Sequence, residues 1–248
     1  MPKPKPDALV AEIRAYCAAH ADPVKAKKWV RYFSEGYDAW GIIDKDDPFF
    51  NSLQQQWLER YAALGWKGFV QAGEALFAGG KYEEGAIAIR FLKHYRDGLD
   101  GAAVRTLEKW FAAGIANWAH TDVLCGEVIG PVLAAGRASL EDLAAWRGSP
   151  LKFQRRAVPV AMLNLLKTEA ATAPLLDFLR PLMEDGERVV HQGAGWFLRE
   201  AWKRDPAPVE AFLLEWKDES PRLIYQYATE KMTPAARARF RKAKAVAR

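Results

Sequence analysis

The stretch Trp66–Arg96, WKGFVQAGEALFAGGKYEEGAIAIRFLKHYR, carries helical periodicity in two runs, 66–79 and 82–96. In each run apolar residues fall at the spacing that gathers them on one face of a helix. Two helices joined by so short a connection pack side by side, and each apolar stripe needs a further partner. The pattern continues in both directions. Helices are expected at 7–20, 23–35, 49–64, 100–115, 118–125, 128–136, 139–147, 150–167, 173–184, 187–204, 206–217, 221–231 and 233–244, and no segment shows convincing strand alternation. The segment 36–48, GYDAWGIIDKDDP, is non-periodic and reads as a loop. A capping residue followed by proline recurs at Asp22-Pro23, Asp47-Pro48, Ser149-Pro150, Asp205-Pro206, Ser220-Pro221 and Thr233-Pro234. The cap satisfies a free N–H of the first turn, and proline loses nothing where its N–H would go unpaired. Pairs such as 66–79 with 82–96, 150–167 with 173–184 and 187–204 with 206–217 recur at roughly 35–40 residues, the period of stacked helical repeats. The expected fold is all-α, a HEAT-like superhelical solenoid of antiparallel helix pairs with a concave basic groove. A compact helical bundle is the competing architecture.

The 248 residues are 50% hydrophobic and include 10 Trp, enough apolar surface for a substantial core. No Pro/Gly/Ser-rich linker divides the chain, so one domain over 1–248 is expected, with tails at 1–6 and about 243–248. No apolar run approaches the ~20 residues of a membrane span, and MPKPKPD lacks the apolar core of a signal peptide. Cys17 and Cys125 are far apart and have no metal-like spacing, as expected of reduced thiols. The expectation is a cytoplasmic monomer. Net charge is +5, which matters only where bases cluster. They do so at Lys25, Lys27, Lys28 and Arg31, at Lys152, Arg155 and Arg156, and at Arg199, Lys203 and Arg204. On a concave surface three such groups make a track for a phosphate backbone.

Phosphate-loop, dinucleotide, zinc-protease and serine-hydrolase motifs are absent. His120 and Asp122 turn to different helix faces, and His20, His94 and His191 are scattered, so no metal and no cofactor are expected. The chemistry gathers instead at Asn117-Trp-Ala-His-Thr-Asp122. Asn117 can cap a helix on which Trp118 and Asp122, at i and i+4, share one side. An indole face attracts a cationic ring, and a carboxylate stabilises positive charge developing beside it. Gly193 and Gly195 flank a second aromatic-plus-charge group, Trp196 with Arg199. Glycine inside a helix costs about 1 kcal/mol against alanine, so either close helix packing or close approach of DNA requires it.

Four segments, in order, resemble the AlkD-like DNA alkylation repair family of HEAT-repeat DNA glycosylases. DPVKAKKWVRYF (22–33) carries Tyr32 on the family's tyrosine, with Gly41-Ile42 on the following GI. NWAHTD (117–122) resembles the W-x-x-x-D motif, FQRRAVPVAML (153–163) the arginine helix, with Pro159 interrupting it, and HQGAGWFLREAWKRDP (191–206) the second tryptophan segment. The resemblance implies a monofunctional glycosylase of base excision repair. Its substrate would be double-stranded DNA bearing cationic N3- or N7-alkylated purines, excised without flipping the base into a pocket. It implies Asp122, Trp118 and Trp196 as catalytic residues, Tyr32 and Arg156 as DNA contacts, and Arg155, Lys152, Arg199 and Lys28 as supporting ones. Two other classes compete: a non-catalytic HEAT protein binding branched or bent DNA, and a protein-binding HEAT scaffold, which calls for an apolar or acidic concave face.

Overall fold

A computed structural model describes residues 4–33, 37–42 and 48–242. Among the described residues the regular elements are helices, apart from one isolated bridge between Asp38 and Lys81. The chain divides into two compact units, Met1–Val128 and Ile129–Arg248, and no linker-like composition marks the boundary in the sequence.

The first unit contains α1 (Pro6–Ala19), α2 (Pro23–Val30), α3 (Pro48–Arg60), α4 (Gly65–Ala78), α5 (Tyr82–Tyr95), α6 (Gly101–Thr106), α7 (Glu108–Ala113) and α8 (Trp118–Leu124). Helix α4 is its centre and packs on α1, α5 and α7. Trp110 of α7 is fully buried and donates its indole N–H to the Val70 carbonyl at 2.8 Å. Gly73 admits that ring, since a Cβ there would lie 2.3 Å from its Cζ2. Helices α4 and α5 turn into each other through Gly80, whose φ of +70° suits glycine. The expected helix 100–115 is two pieces, because the Leu107 N–H bonds the Val104 carbonyl three residues back and tightens the chain there.

The second unit contains α9 (Gly130–Ala134), a capped 3₁₀ helix (Leu140–Gly148), α10 (Lys152–Met162), α11 (Thr172–Leu179), α12 (Arg188–Arg204), α13 (Pro206–Trp216), α14 (Arg222–Ala228) and α15 (Pro234–Ala238). Helix α12 is the hub and packs on α10, α13 and α14. Its two glycines are explained by packing. A Cβ on Gly195 would lie 2.7 Å from the Ile224 carbonyl oxygen and 2.5 Å from Tyr227 Cβ, and one on Gly193 would press on Arg156 and Pro159 at 3.3 Å.

The proline signals mostly hold. Asp22 accepts from the N–H groups of Val24 and Lys25, and Thr233 from that of Ala236. Pro206 opens α13, although the Asp205 side chain makes no cap bond. At Ser149-Pro150 the helix starts only at Lys152, because the Ser149 hydroxyl accepts from Leu151 N–H instead. After Ser220-Pro221 it starts at Arg222. Asp47 lies outside the described residues. Prolines inside helices act in two ways. Pro181 cannot donate to Asp177, and the end of the expected 173–184 helix becomes a 3₁₀ turn, Arg180–Leu182. Pro159 corrects the expectation that it interrupts its helix: it is buried and α10 runs on to Met162.

Candidate functional site

Helix α8 begins in a buried polar lock. Asn117 is 2% exposed, and its side-chain oxygen accepts the His120 N–H at 2.8 Å, the cap expected from sequence. Its amide nitrogen donates to His120 Nδ1 at 2.9 Å. Since a carbonyl can only accept, the His120 Nε2–H donates to Tyr82 O at 2.8 Å, and the ring is fixed in one neutral tautomer. Burial pushes the His120 pKa down to about 4. Both ring nitrogens are therefore occupied, and among the described residues no His/Cys/Asp/Glu group is placed to hold a metal. The imidazole stacks on Tyr82 at 4.8 Å and 8°, and Tyr82 on Trp29 at 5.7 Å and 22°.

That lock sets how α8 presents its outer residues. Trp118 is 46% exposed, a large share for an indole, and Asp122 is half-buried one turn on along the same side. The Trp118 indole N–H points to the Tyr32 carbonyl at 3.4 Å, and its ring lies 6.4 Å from Phe33. Tyr32 itself is 68% exposed. The first unit thus brings together Trp118, Asp122 and Tyr32, the last far away in sequence.

Helix α2, which carries these aromatics' neighbours, is oriented from α5. The buried Glu83 carboxylate accepts three backbone N–H groups, from Trp40 at 2.8 Å, Gly41 at 2.6 Å and Ile42 at 3.2 Å. Trp40 in turn accepts the Asp22 N–H at 2.9 Å through its carbonyl, at the cap of α2. Gly41 is obligatory in this contact, with φ +78° and a would-be Cβ 2.2 Å from Asp22 O. Glu84 completes the join, accepting from Arg14 Nε and the Trp40 indole. So anchored, α2 leaves Lys25, Lys27, Lys28 and Arg31 exposed. Alongside, α2, α5 and α8 enclose a cleft of about 570 Å³.

The other two basic groups are spent largely on the protein itself. Arg155 ion-pairs with Asp185 at 2.6 Å, and Lys152 lies 3.9 Å from Glu187. Arg156 is 6% exposed, donates to the Val189 carbonyl at 2.8 Å and packs under Gly193, so it ties α10 to α12. Arg199 bonds Glu200 and Glu230 at 2.9 and 2.6 Å, and Lys203 also pairs with Glu200. Arg204 donates to the carbonyls of Leu165 and Ala170. Trp196 is half-buried on α12 beside Arg199.

Sequence reasoning missed Glu83, Glu84, Trp29 and Tyr82. Two adjacent acids in a helix's first turn look like ordinary dipole complements. The only available hint was that Glu83-Glu84 sits on the same short helix as an unbroken apolar run.

A family model described as DNA alkylation repair enzyme matches residues 13–232. Among solved structures, a predicted DNA alkylation repair enzyme from Enterococcus faecalis superposes with a TM-score of 0.72, at 18% identity, over 87% of this chain and 98% of that one. At that identity the likeness speaks to the fold. Among curated proteins none matches.

Proposed function

The chain belongs to the DNA alkylation repair enzyme family, and from that premise we propose that it is a DNA glycosylase that releases cationic N3- or N7-alkylated purines from double-stranded DNA, the opening step of base excision repair. One observation carries the reading: α8 presents a half-exposed indole, Trp118, and a carboxylate, Asp122, on one side of a helix locked at its first turn, next to exposed Tyr32 and a lysine-rich α2.

The chemistry asks for no more than such a pair. Alkylation at N3 or N7 leaves the purine positively charged, so it departs as a neutral base without being protonated. The electron pair of the C1′–N bond goes to the base, and the sugar becomes an oxocarbenium-like cation. Water then adds its oxygen to C1′ and gives up a proton. Asp122 stabilises the sugar cation and orients the water, an electrostatic role that needs a fixed carboxylate. Trp118 lies against the lesion and attracts its charge, with Tyr32 beside it. Lys28 and its neighbours on α2 hold the phosphate backbone. In the second unit we assign Trp196, Arg199, Lys152 and Arg155 to contacts with the DNA. Arg156 acts there through the shape of the α10–α12 pair. A protein-binding scaffold calls for an apolar or acidic surface, and the exposed face of α2 is basic.

The test is incubation of the full chain with N-methylated duplex DNA, measuring free base. Release of 3-methyladenine or 7-methylguanine, leaving abasic sites, is expected; intact DNA after prolonged incubation with folded protein rejects the assignment.

A further inference from the structure

The cleft beside α8 is lined by aromatic, apolar and charged side chains. Trp29, Tyr82, Ile89 and Val123 form its walls. Trp29 is the outer ring of the stack that runs through Tyr82 to the hydrogen-bonded His120, so it is held as a rigid platform. Arg90 and Lys93, three residues apart on α5, complete the lining together with Glu127, and Arg90 also donates to the Asn51 side-chain oxygen at 3.1 Å. Glu127 pairs with Lys93 at 2.7 Å, which leaves the three groups with one net positive charge. About 570 Å³ lies within the usual size of a small-molecule pocket, roughly 300–1,000 Å³. On α8 the cleft is lined by Ala119 and Val123, each one residue on from Trp118 and Asp122, and so turned about 100° round the helix.

We propose that this cleft takes one unpaired nucleotide of a bound strand, its base on Trp29 and its phosphate at Arg90 and Lys93. It is a nucleotide other than the one whose glycosidic bond faces Asp122. The inference rests on the reading of the chain as a DNA-binding enzyme. Aromatic platforms bordered by bases are the general means of holding single unstacked bases, and they tolerate any base because each has a π-face.

The test compares two duplexes of equal length, one fully paired and one with a single extra unpaired adenosine, bound to the full chain in fluorescence anisotropy at one salt concentration. The bulged duplex is expected to bind tighter by roughly 5- to 150-fold, the worth of one base stacked on an aromatic ring. Val123→Trp fills the cleft from a half-exposed position that tolerates bulk, and Trp29→Ala removes the platform. Each is expected to erase the preference and leave affinity for the paired duplex unchanged. Should Trp29→Ala fail to fold, Val123→Trp decides. Equal affinity for the two duplexes, or a preference that survives Val123→Trp, overturns the inference and leaves the glycosylase reading standing. Failure to bind either duplex overturns both.

Discussion

Replacing Asn117 by alanine removes two interactions at once, and the structure sets what each is worth. The first is the cap on His120 N–H, whose loss costs about 0.5–2 kcal/mol. The second is the amide donor to His120 Nδ1, whose removal orphans a buried acceptor at about 1–3 kcal/mol. Together Asn117→Ala should destabilise the first unit by about 1.5–5 kcal/mol, read as a lower urea midpoint at unchanged slope. Asn117→Asp separates the two. Aspartate is as good a cap, but it has no donor for Nδ1, and it sets a carboxylate against a buried imidazole. That charge favours imidazolium, so the Asp variant's deficit should shrink between pH 8 and pH 5. An alanine variant that loses less than about 0.5 kcal/mol, or an aspartate variant indistinguishable from it at both pH values, refutes the account of α8 as locked through this pair.

Four further outcomes are expected. Because the folded-state pKa of His120 lies below its unfolded value of about 6.5, the unfolded chain binds a proton first. Its contribution to stability is complete above that value and is lost as pH falls toward about 4, a decline of about 3 kcal/mol that His120→Gln should flatten in urea titrations across the range. Gly195→Ala drives a Cβ onto the Ile224 carbonyl and should cost about 1–3 kcal/mol in thermal unfolding; a neutral result means α12 and α14 are not so close. Glu83→Gln keeps one acceptor oxygen for three N–H groups and adds a misplaced donor, so hydrogen exchange at Trp40, Gly41 and Ile42 should accelerate while the core of the second unit is unaffected. Burial pushes the Cys17 thiol up to about 12, so neither it nor buried Cys125 should react with a thiol reagent until the protein unfolds.

The all-helical fold was legible because helix periodicity and capping prolines are local signals, and local signals survive tertiary packing where it agrees with them. Where the structure departs from the reading, a non-local cause is visible. Pro159 stays in its helix because α12, thinned at Gly193, packs against it. A π-helical turn, Cys125–Ile129, joins the expected helices 118–125 and 128–136. There Pro131 leaves the Glu127 carbonyl without its helical donor, and Arg96 reaches it at 3.5 Å. Of the candidate site, the indole–carboxylate pair and its cap could be read from spacing alone. The basic clusters could not be ranked that way, since a sequence shows the arginines of 155, 156 and 199 but not the partners that occupy them. Of the three clusters, it is the lysines of α2 that remain turned to solvent as a group. The Glu83 clasp that orients them spans more than forty residues of chain, beyond the reach of any local pattern.

The central claim concerns one carboxylate, so the decisive measurement compares wild type with Asp122→Asn on duplex DNA carrying a single 7-methylguanine, under single-turnover conditions with duplex affinity measured in parallel. The amide keeps the shape of the side chain and removes its charge. Excision should fall by a factor on the order of 10²–10³, as when one group that stabilises transition-state charge is lost, with affinity nearly unchanged. Excision by the asparagine variant at the wild-type rate contradicts the account.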